Sequence, residues 1–69
     1  MKDLINALME SIKAQVQDPR TIEDISEKLM QKEYRRVFLI FNNFKECGKW
    51  ILTESDEKNL EAFWWEYAN

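Results

Sequence analysis

The chain has 69 residues, with 13 acids against 10 bases for a net charge of −3, and is 45% hydrophobic and 13% aromatic. That length allows one domain with one small core, and the sparse turn residues, one Gly and one Pro, favour long helices over many short strands. The absence of histidine excludes Ser-His and Cys-His chemistry. Cys47 is the single cysteine, which excludes an internal disulfide and, with no histidine, argues against a zinc site built from this chain alone.

The first helix is expected over about Asp3–Gln17. Leu4, Ile5, Leu8, Met9, Ile12 and Val16 recur at helical spacing, Asp3 is placed to cap it, and Asp18-Pro19 ends it. The second is expected over about Thr21–Met30, with Ile22, Ile25 and Leu29 facing inward. Thr21 with Asp24 resembles a capping box; the alternative is that Asp18 caps and Pro19 takes the first helical position. Gln31-Lys32-Glu33 reads as a tight polar connection.

The third helix is expected over about Tyr34–Cys47. Tyr34, Val37, Phe38, Phe41 and Phe44 share a face, and Leu39 and Ile40 fall outside it, so this helix should be central. Gly48 fits the left-handed residue that ends it, and Cys47 is expected to be a small core hydrophobe. The run Val37–Phe41 is also good strand sequence and could form a hairpin with Lys49–Thr53. Helix is preferred because the periodic face extends from Tyr34 to Phe44. The last helix is expected over about Ser55–Tyr67, capped by Thr53 with Asp56 or by Ser55, with Leu60, Phe63, Trp64 and Tyr67 inward. The expected fold is therefore all-α, a bundle of three or four helices around Phe38, Phe41, Phe44, Phe63 and Trp64, spanning residues 1–69 as one domain. The alternative is α+β with a hairpin around 37–53.

No apolar run approaches the roughly 18 residues of a membrane span, so no membrane partner is expected. One cysteine and no signal-peptide pattern point to a reducing intracellular compartment, the cytoplasm of a bacterium or a phage-infected host. No catalytic residue, metal or cofactor is assigned. Paired carboxylates raise the question of acid–base catalysis, but four short helices leave little room for a cleft.

Charge is segregated. Residues 31–52 hold Lys32, Arg35, Arg36, Lys45 and Lys49 against two acids; residues 53–69 hold five acids against Lys58. Candidate contact residues follow from this. Trp65 lies off the inward face of the last helix, and an exposed Trp is a preferred partner anchor unless a loop covers it. Arg35, Arg36, Lys45, Lys49 and Trp50 combine cations with an aromatic, as single-strand nucleic-acid binding requires; they also fit an ordinary solvated rim. Glu54, Asp56, Glu57 and Glu61 could meet a basic partner, although dipole compensation already explains Asp56 and Glu57.

Asp18-Pro19-Arg20-Thr21-Ile22-Glu23-Asp24, Tyr34-Arg35-Arg36-Val37 and Thr53-Glu54-Ser55-Asp56-Glu57 together resemble one phage module. It is the small helical module at the C-terminal end of superfamily-2 recombination helicases in T-even phages. The resemblance implies a non-catalytic appendage to a DNA-unwinding motor. The motor's own phosphate-binding loop is missing here. The expected role is therefore a binding module that assists a DNA-processing machine, with a helicase or similar protein as partner and nucleic-acid contact as a secondary possibility. The alternative is a stand-alone acidic inhibitor of a basic protein. A monomer or weak dimer is expected.

Overall fold

The computed structural model describes residues 3–69, apart from the side chain of Asp3. The expected Asp3 cap therefore lies outside the described residues. Four α-helices follow in order: α1 (Asp3–Gln15), α2 (Pro19–Met30), α3 (Tyr34–Glu46) and α4 (Glu54–Phe63). The last runs directly into one π-helical segment, Trp64–Ala68. Among the described residues there is no strand, so the hairpin alternative at 37–53 is excluded.

Each boundary has a local cause. Val16 still donates to the Ile12 carbonyl at 2.7 Å before Asp18-Pro19 turns the chain. Asp18, not Thr21, caps α2. Its carboxylate accepts from the Arg20 N–H at 3.2 Å, and Pro19 occupies the first turn, where a missing N–H costs nothing. Thr21 donates its hydroxyl to the same carboxylate at 2.9 Å.

Helices α2 and α3 stop in the same way. Lys32 donates to the Leu29 carbonyl and Glu33 to the Lys28 carbonyl; Gly48 donates to Lys45 and Lys49 to Phe44. Both are Schellman closures, with a left-handed residue just past the helix: Lys32 at φ 61° and Gly48 at φ 78°. Helix α4 starts at a complete capping box. Asp56 N–H donates to Thr53 Oγ1, and Thr53 N–H donates to Asp56 Oδ2, both at 3.1 Å.

The core is Leu8, Met9, Ile12, Ile25, Val37, Phe41, Trp50, Leu60, Phe63 and Ala68. Of the five residues expected to centre it, Phe41 and Phe63 are fully buried. Phe38, Phe44 and Trp64 are half-buried and pack around them. Ring contacts run from Trp50 to Phe41 (5.7 Å), Phe41 to Phe63 (5.6 Å) and Phe63 to Tyr67 (5.5 Å). Helix α3 meets α4 and the π segment antiparallel, since Phe38 packs on Trp64 at 4.9 Å while Tyr34, one turn earlier, packs on Tyr67 at 5.0 Å.

Candidate functional site: the face shared by α3, α4 and the π segment

The Trp50 expectation needs correction. Trp50 is 1% exposed, so it cannot stack on a base or anchor a partner. The sequence after Gly48 turns back on the core, and a large apolar ring there has more to gain from burial than from water. Its indole N–H is satisfied inside. Trp50 Nε1 donates to Ser11 Oγ at 2.9 Å, and Ser11 donates its hydroxyl to Asp56 Oδ2 at 2.8 Å. Asp56, buried apart from 8% of its surface, thus serves both the α4 cap and this chain.

Gln15 adds a second tie. Its amide donates to the Ile51 carbonyl at 3.0 Å and accepts from the Ile51 N–H at 2.8 Å. The loop between α3 and α4 is therefore clamped to α1 by Ser11 and Gln15, polar residues that carry no motif in the sequence. Cys47 also departs from expectation: it is exposed, because α3 has reached its last turn and rotated that position outward.

The cations do not gather in one patch. Arg35 turns its Nε toward the Ala68 carbonyl at 3.3 Å and closes the end of the π segment. Arg36 is exposed and lies 3.6 Å from Glu33. Both line a shallow depression with Lys32, Leu39 and Tyr67. Lys45 lies elsewhere, in a groove between α3 and α4. Lys49 is exposed in the Gly48 turn and lines neither.

The groove between α3 and α4 brings Trp65 together with residues of both helices. Phe38, Leu60, Trp64 and Trp65 give it an apolar lining; Glu54, Glu57, Lys58 and Glu61 line it from α4, and Asn42 and Lys45 from α3. Its volume is about 580 Å³. Trp65 is 62% exposed, as its position off the inward face predicted. The π segment contributes here. Each of its residues advances by less than an α-helical step, so Trp65 stays closer to Trp64 around the axis while Ala68 returns to the core. The signal is the i→i+5 bond from Asn69 N–H to the Trp64 carbonyl, which periodicity at 100° per residue cannot anticipate.

The acids expected to act together are divided by burial. Glu54, Glu57 and Glu61 line the groove at positions i, i+3 and i+7 of α4, so they share one side of the helix. Asp56 points inward and is consumed by the Ser11 and Thr53 contacts. No helix among the described residues is long and apolar enough to cross a membrane. No family model, curated protein or solved structure matches this chain.

Proposed function

We propose that the chain is a non-catalytic binding module that docks a protein partner through the α3–α4 groove. The observation that carries this reading is Trp65, a large ring held in water just past the end of α4 beside Trp64, Phe38 and Leu60. A large apolar ring left exposed beside other aromatic and apolar side chains, with charged groups around them, favours a protein ligand, and Trp is among the residues enriched at binding hot spots. The non-catalytic part rests on the sequence, which supplies no histidine and a single cysteine.

The groove does not suit a phosphate backbone as well as the sequence suggested. Lys45 shares it with three carboxylates, and the platform expected at Trp50 is buried. The partner is therefore a protein of a DNA-processing machine, a helicase in the first instance, and nucleic acid is at most a minor contact. The link to that machine rests on the three sequence segments that resemble the phage helicase module.

The test is capture by the tagged chain, by its Trp65→Ala form and by Ile51→Ala as a control. Ile51 is as exposed as Trp65 but lies on the loop that Gln15 clamps to α1. One stoichiometric partner retained by wild type and Ile51→Ala, and lost with Trp65→Ala, is expected. The rival reading, an acidic inhibitor of a basic protein, draws on the Glu54, Glu57 and Glu61 row. It requires that Glu57→Lys with Glu61→Lys abolish capture while Trp65→Ala leaves it intact.

A further inference from the structure

The groove and the depression beside it are two ends of one face, because successive positions of α3 line both. Phe38, Asn42 and Lys45 face the groove, while Arg35, Arg36 and Leu39 face the depression. The π segment is shared in the same way, Trp64 and Trp65 at one end and Tyr67 and Ala68 at the other.

The two ends carry opposite charge. The groove holds Glu54, Glu57 and Glu61 against Lys45 and Lys58, which leaves −1; the depression holds Lys32, Arg35 and Arg36 against Glu33, which leaves +2. Two large apolar side chains, Trp65 and Leu39, stand in water on this face, one at each end. A two-fold axis through such a face sets each end of one copy against the opposite end of the other. That is the condition a symmetric dimer interface must meet, since the same patch has to be complementary to itself.

We infer that this face pairs with a second copy of the chain, the acidic groove of each copy against the Lys32–Arg36 end of its partner. The inference rests on the binding-module reading and gives the same site a second, weaker occupant besides the heterologous partner. Area permits it: about 800 Å² per copy makes a standard interface, a modest share of the 4835 Å² that the chain exposes. The contact between copies is one that a stronger heterologous partner of the groove would have to displace.

Sedimentation equilibrium on three forms tests this. Wild type is expected to be a dimer that weakens as salt rises. Glu57→Lys with Glu61→Lys makes both ends basic, and Lys32→Glu with Arg36→Glu makes both ends acidic. All four side chains are exposed, so circular dichroism is expected to show each variant folded. Each variant alone should dissociate with a Kd raised about tenfold or more. Their equimolar mixture should form a heterodimer, because each then offers what the other lacks.

A monomeric wild type at all accessible concentrations overturns the inference. So does a dimer that survives both reversals, or a mixture that stays monomeric. None of these touches the protein-docking reading, whose own failure would be capture that ignores Trp65→Ala.

Discussion

Trp50, Ser11 and Asp56 show how one polar atom decides the fate of a large ring. An indole has an N–H that must be paired once water is removed, and Ser11, one turn of α1 away from Leu8, supplies the acceptor. Ser11→Ala leaves that N–H buried without a partner and removes a donor from Asp56, so it should cost about 1–3 kcal/mol in urea unfolding. Trp50→Phe in the Ser11→Ala background should add less than it does alone, because the group that needed the hydroxyl is gone. The sequence showed Trp50 among lysines and so read it as surface. Nothing in the spacing of residues 11, 50 and 56 announces a contact across 39 and 45 positions.

Asp18 behaves differently because it is in water. The Thr21 hydroxyl is the largest influence and, with the Arg20 and Thr21 backbone N–H groups and the Arg20 charge, holds its carboxyl below the ordinary value, although desolvation, second in size, pushes the other way. A lowered carboxylate pKa stabilises the fold at pH above the ordinary value, and that contribution is lost as pH falls through the lowered value. The protection factors of the first-turn amides of α2, each rate taken relative to an unstructured peptide at the same pH, should fall over that acid window in wild type. In Asp18→Ala they should already be low and should not change across it.

The helix ends α2 and α3 form a matched pair at the scale of elements. Both need a left-handed residue, and only one has glycine there. A Cβ at Gly48 would meet nothing within 4 Å, so Gly48→Ala should carry the conformational cost alone, about 1 kcal/mol. Lys32→Gly should have the opposite sign or be neutral, since it relieves the same strain while adding unfolded-chain freedom. Thermal unfolding of the two variants checks the contrast.

All four helices were readable from period and caps. The α4 box was legible at Thr53-x-x-Asp56, and the α2 cap was legible as one of two options. Two things were not. Lys32 sits where glycine is the usual signal, and the π segment has no propensity signature, because its register is set by packing of Ala68 and Tyr67 against α3.

At the scale of the whole molecule, 69 residues leave a folding free energy of about 3–10 kcal/mol. Phe41 touches both Trp50 and Phe63 at the centre of the ring series, so Phe41→Ala, at about 3–5 kcal/mol, should remove a large share of it and lower the thermal midpoint by more than ~10 °C by circular dichroism. The candidate site was legible in part for the same reason the core was. Trp65 could be placed outside the inward stripe from its position alone. Its neighbours Phe38 and Lys45 come from another helix, and which cations gather with which acids depends on the antiparallel pairing of α3 with α4. Burial removed Trp50 and Asp56 from the surface, and distance along α3 separated Lys45 from Arg36.

On the proposed reading, Trp65 is exposed for the sake of a partner and not of the fold. Trp65→Ala, compared with wild type for both urea midpoint and partner retention, tests it most directly. The expected result is a stability change within about 0.5 kcal/mol together with loss of the partner. A Trp65→Ala chain that keeps its partner at wild-type affinity would contradict it.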